Sequence, residues 1–323
     1  MKKEQVRIVF MGTPAFAVPA LDALLAAGYP IAGVVTAPDK MSGRGRKIKF
    51  SPVKGYALSR GLVLLQPEKL KDPLFIEQLR SLKADLQVVV AFRMLPEVVW
   101  NMPPMGTFNL HASLLPQYRG AAPINHVLIQ GETVTGLTTF FLDKDIDTGR
   151  IINQVKLTID PHEDFGHLHD RMMAEGAKLV VKTVDELIHK KVKPIPQNKL
   201  IAEQKILKPA PKLHKEDCHI NWHDYVDRIF NFIRGLSPYP GAFCFLKLRN
   251  GEKLMLKIFR AEKELCLHHE PAGTFQSDGN RYLKVSAGDG YIHLMELQLQ
   301  GKKRMNVGDF LNGFDLKRLE IIE

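Results

Sequence analysis

The sequence predicts an α/β fold, in which a doubly wound, mainly parallel sheet is followed by a C-terminal antiparallel β-barrel. Two patterns support this class. In the first half of the 323-residue chain, short apolar runs alternate with helix-like segments, which is typical of a parallel sheet. After about residue 220 the apolar runs are paired around Asn-Gly and Gly-Asp-Gly turns, which indicates antiparallel hairpins.

The elements of the first half follow one another in order along the chain. Six strands are predicted over the apolar runs VRIVFMG, IAGVVTA, LVLL, DLQVVVAF, GTFNLH and LTTFFL. Helices are predicted over 14–27, after Ser51-Pro52, after Asp72-Pro73 and over about 123–130. DLQVVVAF is continuously apolar, as expected of a strand that is covered on both faces.

The second half adds a helix, a linker and the barrel. A helix is predicted over about 163–190, and KKVKPIPQNKLIAEQKILKPAPK after it has the prolines and lysines of a linker. The sequence therefore predicts an α/β domain over 1–190, a linker over 191–208 and a barrel domain over 209–323. Among small antiparallel barrels, the pattern favours an OB-fold.

The composition is that of a folded protein with a basic balance. Hydrophobic residues make up 45% and charged residues 25%, which excludes a disordered chain. The net charge of +10 indicates a polyanionic partner such as nucleic acid, or solubility alone. Three widely spaced cysteines form neither a disulfide framework nor a zinc pattern, which favours a reducing, cytoplasmic location. No apolar stretch approaches the roughly 18 residues of a membrane span, and we expect no signal peptide.

The segment FNLHAS, residues 108–113, carries polar residues where a strand normally carries apolar ones. Alternation along a strand places Asn109, His111 and Ser113 on one face. Open α/β sheets bind ligands at the carboxyl ends of their strands. An amide that donates hydrogen bonds, beside an imidazole that exchanges protons near neutral pH, suits a carbonyl that becomes an oxyanion. From spacing alone, side chains that only cap a turn remain the favoured alternative.

The continuation of this segment carries a specific resemblance. Residues 109–116, NLHASLLP, match the Asn-x-His-x-Ser-Leu-Leu-Pro signature of the folate-dependent formyltransferases, which use 10-formyltetrahydrofolate as donor. The family also has an Asp in a downstream Asp-Thr-Gly turn, supplied here by Asp147 in DIDTG. VFMGTPAFAVPALDALL, GRGRKIKFSPVK, KLHKEDCHINW and PYPGAF resemble members of the family that formylate methionine on initiator tRNA. The resemblance covers almost the entire chain and implies a Rossmann-like catalytic domain.

The resemblance implies a reaction and a role for three residues. The α-amino group of initiator methionyl-tRNA attacks the formyl carbon of 10-formyltetrahydrofolate, and the product serves translation initiation. Asn109 donates a hydrogen bond to the formyl oxygen, and charged His111 adds a second donor. Asp147 holds His111 and helps to relay the amine proton. This chemistry requires no metal and no covalent enzyme intermediate, and we expect the protein to act as a monomer.

The segment KMSGRGRKIKFSPVK, residues 40–54, is the second candidate site. Six of its fifteen residues are basic and none is acidic, and its glycines favour a loop over a helix. It lacks the rest of a nucleotide-binding fingerprint. Given the family resemblance, we expect this segment to contact the tRNA acceptor stem, with Arg44 at the matching position of the family's loop. Arg46, Lys47 and Lys49 then neutralise phosphates, the alternative being a solvated charged loop.

The barrel domain is also basic where it begins. Four lysines precede Trp222, namely Lys205, Lys208, Lys212 and Lys215. Because OB-type barrels bind nucleic acid through their strands and loops, we expect Lys212 and its neighbours to contact the tRNA body. The alternative is a domain that only buttresses the first one.

The folate pocket is predicted beside the strand end VVVAFRMLP, residues 88–96. The commoner family form reads Ala-Tyr-Gly here and has one more residue before the proline, so this chain departs from it. Family members line the pterin pocket largely with backbone groups, a mode of recognition that tolerates such a change. The predicted folate-binding residues are Phe92, Arg93, Met94, Ser113, Leu114, Leu115 and Pro116.

Other interpretations stay open at this point. DPHEDFGHLHDRMM resembles a metal-ligand set, but His167 and His169 point about 200° apart on a helix, and its acids suit a helix N-terminus. A formyltransferase or formyl-folate hydrolase acting on a small amine or sugar nucleotide is the alternative enzyme, disfavoured by the barrel and by GRGRK. A folate- or RNA-binding module without turnover has no need of Asn109, His111 and Asp147.

Overall fold

The computed structural model describes residues 2–42, 47–201 and 206–323, with the backbone alone for 40–42 and 47–49. The chain divides into two compact units. The first unit consists of Met1–Gly120, Thr135–Leu157 and His169–Pro209. The second consists of Ala121–Val134, Thr158–Leu168 and Ala210–Glu323. Each unit thus contains separated segments, and the domain boundaries 1–190, 191–208 and 209–323 stay a prediction.

The first unit is built on a seven-stranded sheet. The strands of the first half are β1 Ile8–Gly12, β2 Ile31–Val35, β3 Lys40–Ser42, β4 Lys47–Lys49, β5 Leu64–Leu65, β6 Leu86–Val90, β7 Thr107–His111, β8 Val134–Phe141 and β9 Ile151–Thr158. The sheet has the order β5-β2-β1-β6-β7-β8-β9. The pairs from β5 to β7 are parallel, whereas β7 and β8 are antiparallel. The predicted mainly parallel sheet is therefore confirmed.

Two of the helices begin at the caps that the sequence predicted, Ser51 and Asp72. The α-helices are α1 Val18–Ala26, α2 Pro52–Ser59, α3 Pro73–Ser81, α4 Glu97–Trp100, α5 Pro123–Ile129, α6 Phe165–Ile188, α7 Gln197–Ile201, α8 Val226–Leu236 and α9 Val307–Gly313. The Ser51 hydroxyl accepts a hydrogen bond from Lys54 N, and the Asp72 carboxylate accepts one from Leu74 N. These caps satisfy backbone donors that the first turn leaves unpaired. In the described part of the chain, no helix is long and apolar enough to cross a membrane.

Burial on both faces of the sheet fixes where a site can form. All five residues of β1 and all five of β6 are buried. Val9, Met11 and Val89 pack against Phe75 and Leu79 of α3. This burial explains the continuous apolar runs of the central strands. Because both faces are covered, the open positions of such a sheet are its edges and the carboxyl ends of its strands, where β7 carries its polar residues.

The basic segment differs from its prediction in one respect. It is not helical where the structure describes it, as expected, but its flanks form the antiparallel pair β3–β4 instead of an open loop. Met41 lies opposite Ile48 in the register. Apolar residues at opposed positions favour strand pairing, and this pattern was hidden by the surrounding lysines. Residues 43–46, which include Arg44 and Arg46, lie outside the described residues.

The second unit contains the antiparallel barrel. Its strands are β10 Ala242–Leu248, β11 Lys253–Leu265, β12 Phe275–Ser277, β13 Leu283–Ala287, β14 Gly290–Leu299, β15 Met305–Asn306 and β16 Leu319–Ile322. Their order is β12-β13-β14-β11-β10-β16, with β15 on β14. Gly273 joins the two ends of this sheet, because its carbonyl accepts from Ile322 N at 3.1 Å and its N–H donates to Ser286 O at 3.0 Å. The barrel prediction is confirmed, and Ile229 and Ile233 of α8 pack into its core.

Candidate active site

The last residues of β7 carry the two polar side chains that the sequence singled out. Asn109 lies between Val89 of β6 and Phe140 of β8 and is partly buried. Within the described residues, its amide makes no side-chain hydrogen bond. His111 is only 6% exposed, and its ring stands edge-on to that of Phe140. An amide that lacks such a hydrogen bond, on a buried strand, is available to bind a ligand at this end of the sheet.

His111 has two ring nitrogens with different partners. Nε2 lies 2.9 Å from the carbonyl oxygen of Tyr118. Because a carbonyl only accepts, this contact requires the hydrogen on Nε2. Nδ1 faces Oδ2 of Asp147 at 3.7 Å, which is longer than a hydrogen bond. The structure thus brings together His111 and Asp147, as predicted, with Nδ1 as the ring atom directed to the carboxylate.

The backbone around Asp147 fixes the carboxylate. Asp147 has a left-handed φ of 56°, which is uncommon for residues other than glycine and is tolerated best by Asp and Asn. Its Oδ2 accepts a hydrogen bond from Gly120 N at 2.9 Å. Two residues on, a Cβ at Gly149 would lie 1.7 Å from the carbonyl oxygen of Phe141. The Asp-Thr-Gly turn therefore requires glycine at 149 for steric reasons.

Two residues that the sequence reasoning missed support this turn. Gln197 is buried and donates from Nε2 to the carbonyl oxygens of Asp147 and Gly149, at 2.9 and 2.8 Å. Its Oε1 accepts from Arg119 Nη2 at 2.6 Å and from Nε at 3.2 Å. Burial lowers the pKa of the Arg119 guanidinium, and the Asp147 charge opposes that shift. Gln197 gave no local signal because it stands in the predicted linker, whereas Arg119 stands three residues after the signature that ends at Pro116.

The site offers acid–base and hydrogen-bonding chemistry. Asn109 supplies a neutral donor, His111 a group that exchanges protons, and Asp147 an acceptor. Among the residues that the structure describes, no group of three or more His, Cys, Asp or Glu side chains could hold a metal ion. In the histidine-rich segment, Asp164 Oδ1 instead accepts from His167 N and lies 2.7 Å from its Nδ1. That is a helix N-terminus, as the sequence indicated.

Comparison with known families fits this geometry. Residues 6–184 match the family model described as formyl transferase, and residues 212–315 match that of the formyl transferase C-terminal domain. The chain belongs to the formyltransferase family. Methionyl-tRNA formyltransferase of Bacteroides thetaiotaomicron is 55% identical over 316 residues, which are 98% of each chain. That of Parabacteroides distasonis is 56% identical over 315 residues, which are 97% of each.

A solved structure shares the fold of this formyltransferase family member. HypX from Aquifex aeolicus, in complex with tetrahydrofolic acid, superposes with a TM-score of 0.62 at 17% identity. The match covers 97% of the present chain and 48% of HypX, so this chain spans about half of that protein. At this identity the likeness shows the fold alone. Together with the family models, it confirms the predicted Rossmann-like formyltransferase architecture with a C-terminal barrel.

The predicted folate wall has three different environments in this formyltransferase. Phe92 is partly buried against the apolar cluster of the sheet. The Arg93 guanidinium donates to the carbonyl oxygens of Pro67 and, at 2.7 Å, Glu68. Met94 is 67% exposed. Arg93 therefore ties its loop to the 67–68 backbone, and the folate-binding roles of all three residues stay predictions.

The signature residues after His111 form a turn. The Ser113 hydroxyl is buried and donates to the carbonyl oxygen of Gln117 at 2.6 Å. Leu115 and Pro116 are buried, and Leu114 is partly buried. Their side chains therefore shape the segment after β7. A contribution to folate binding through this segment stays a prediction for Ser113, Leu114, Leu115 and Pro116.

The described residues do not place the side chains predicted to contact tRNA beside Asn109, His111 and Asp147. Arg44 and Arg46 lie outside the description, and Lys47 and Lys49 are described only as backbone of β4. Lys212 is exposed in the second unit. Their roles in tRNA binding stay predictions of the sequence.

Proposed function

We propose that this protein transfers the formyl group of 10-formyltetrahydrofolate to the α-amino group of methionine on initiator methionyl-tRNA. One observation carries the proposal: the uncommitted Asn109 amide stands two residues before His111, whose Nδ1 is 3.7 Å from Asp147. The same chain is more than 50% identical, over nearly its whole length, to proteins named methionyl-tRNA formyltransferase. The alternative acceptors, a small amine or a sugar nucleotide, have no comparable support.

The Asn109 amide and the His111 ring stabilise the developing charge. The amine nitrogen forms a bond to the formyl carbon, and the electron pair of the carbonyl moves to its oxygen. Asn109 donates a hydrogen bond to this oxyanion, and His111 in its charged form adds a second donor. When the oxyanion collapses, the bond from the formyl carbon to the folate nitrogen breaks. Donors placed in advance at such an oxygen typically contribute about 3 kcal/mol each to lowering the barrier of the reaction.

Asp147 moves the proton. The amine loses a proton as its bond to carbon forms, and the departing folate nitrogen takes one up. The Asp147 carboxylate, fixed by Gly120 N at 2.9 Å, accepts the amine proton directly or through water and stabilises charged His111. No covalent intermediate with the protein and no metal enters this sequence.

The basic residues supply tRNA binding. In this proposal Arg44, Arg46, Lys47 and Lys49 contact the acceptor stem, and Lys212 contacts the tRNA body. The net charge of +10 supports a polyanionic substrate. We further propose a monomer that works in the cytoplasm, where translation initiates.

One assay separates the competing functions. The purified protein is incubated with 10-formyltetrahydrofolate and initiator methionyl-tRNA, and formylmethionyl-tRNA and free formate are measured. We expect formylmethionyl-tRNA, and none with uncharged tRNA, which lacks the amine. Formate release that does not depend on the acceptor would identify a hydrolase. Binding of folate or RNA without either product would identify a binding module.

A further inference from the structure

We infer that Gln197 and Arg119 form a positioning pair that holds Asp147 in the orientation required for proton transfer. The inference rests on the proposed function and assigns a role to two residues that do not contact the reacting atoms. Gln197 is the first residue of α7 and lies 50 residues after Asp147 in the chain. It reaches the site only through the fold.

Gln197 holds the backbone of the Asp-Thr-Gly turn at two points. Its Nε2 donates to the carbonyl oxygens of Asp147 and Gly149, at 2.9 and 2.8 Å. Asp147 is left-handed, and such a conformation persists in a non-glycine residue when the surroundings impose it. Two hydrogen bonds from Gln197 Nε2, to the carbonyl oxygens on either side of Thr148, impose it here. The direction of the Asp147 side chain follows from this backbone.

Arg119 determines which way the Gln197 amide points. The guanidinium only donates, and it approaches Oε1 with two nitrogens, at 2.6 and 3.2 Å. The carbonyl oxygens of the turn only accept, so they must face Nε2. The amide therefore has one satisfied orientation. Gln197 is 3% exposed, which keeps water from competing for these groups.

The pair also joins the supports of both catalytic residues. Arg119 stands between Tyr118, whose carbonyl accepts from His111 Nε2, and Gly120, whose N–H donates to Asp147 Oδ2. Through Arg119, Gln197 is connected to a stretch of three residues that contacts His111 and Asp147. Loss of the Gln197–Arg119 pair would remove the restraint on the turn that carries Asp147. This turn forms one side of the 3.7 Å gap between His111 Nδ1 and Asp147 Oδ2.

The test measures single-turnover formyl transfer by Gln197→Met, which keeps the length of the side chain and removes its hydrogen bonds. We expect the rate to fall roughly 10- to 100-fold, with the dissociation constants for 10-formyltetrahydrofolate and for tRNA unchanged. Arg119→Lys, which keeps the charge but not the two-nitrogen contact, should give a smaller fall. The matched control is Gln87→Met: Gln87 is buried in β6, and its Nε2 has no partner among the described residues. We expect this control to transfer at the wild-type rate.

A double-mutant cycle shows whether the pair acts through Asp147. In an Asp147→Ala background, Gln197→Met and Arg119→Lys should have no further effect on the residual rate. The inference would be overturned if the fold-reductions in rate multiplied with that of Asp147→Ala. It would also be overturned if folded Gln197→Met transferred at the wild-type rate. If Gln197→Met does not fold, Arg119→Lys decides on the same criterion. Failure of wild-type protein to formylate would instead overturn the proposed function, so the two failures are distinguishable.

Discussion

His111 and Asp147 face each other across 3.7 Å, from Nδ1 to Oδ2. His111 Nε2 donates to the carbonyl oxygen of Tyr118, and the same Oδ2 of Asp147 accepts from Gly120 N. The gap exceeds hydrogen-bond length but is too short to admit a bridging water. A small shift of the ring or the carboxylate closes it. Catalytic hydrogen bonds are often long before substrates bind and tighten in the reacting complex. In the proposed reaction, we expect the pair to close when charge develops on His111.

Asn109→Ala tests the oxyanion donor. Removing one such donor costs roughly 3 kcal/mol, so turnover should fall on the order of a hundredfold or more. A single-turnover formylation assay measures the rate, and Asn101→Ala, at an exposed asparagine that ends α4, is the control. Near-wild-type turnover in Asn109→Ala would refute the assignment.

Asp147→Asn tests the proton acceptor. The amide oxygen can still accept from Gly120 N, so the turn should persist while the charge is lost. Loss of general acid–base help predicts a rate roughly 10²- to 10⁴-fold lower. Asp145→Asn, at an exposed position in the same loop, is the control and should retain activity. Equal rates for the two variants would count against a role of Asp147 in proton transfer.

Neutralising the basic segment tests the tRNA contact. Replacing Arg44, Arg46 and Lys47 with Gln should lower tRNA affinity and flatten its dependence on salt, because fewer counterions are released on binding. Titrations at several salt concentrations give both quantities. The control removes three exposed charges elsewhere, at Lys71, Arg80 and Lys83 in and beside α3. The idea fails if both variants show the wild-type affinity and slope.

Acid should remove the stabilising effect of Asp278. The backbone N–H groups of Arg281, Asn280 and Tyr282 donate to its carboxylate and hold its pKa well below the ordinary value of 3.8. A lowered folded-state pKa gives stability that is present above about pH 4 and is lost as the pH falls towards the folded value. The Tm of wild type should exceed that of Asp278→Asn at pH 7, and the difference should shrink near pH 3. A difference that does not depend on pH would contradict this assignment.

Gly273→Ala tests how the barrel closes. A left-handed alanine costs about 1–2 kcal/mol, and here the new Cβ would also lie 2.2 Å from the carbonyl oxygen of Ile322. Crowding of this kind adds about 1–3 kcal/mol. Gly279→Ala is the matched control, because Gly279 is also left-handed but a Cβ added there would meet no atom within 4 Å. Chemical denaturation should show the larger loss for Gly273→Ala, and equal losses would show that the contact is relieved without cost.

The sequence by itself determined the features that a few neighbouring residues encode. Apolar periodicity predicted six strands of the seven-stranded sheet and the hairpins of the barrel, and β9 was missed. Ser51 and Asp72 marked helix starts that the structure confirms. Alternation placed Asn109 and His111 on one face of β7. The signature around them, with Asp147 downstream, predicted the family. Each of these patterns is local, so it is readable without the fold.

Only the tertiary structure decided how distant segments meet. The 3.7 Å approach of His111 to Asp147 joins residues 36 positions apart, and Gln197 reaches Asp147 across a further 50. Gln197 stands in a stretch with linker composition, where nothing nearby distinguishes it from a solvated glutamine. The closure of the barrel at Gly273 likewise depends on Ile322, near the other end of the sheet. Such contacts form because burial brings separated segments together and their polar groups must then be paired, a requirement that local sequence does not display.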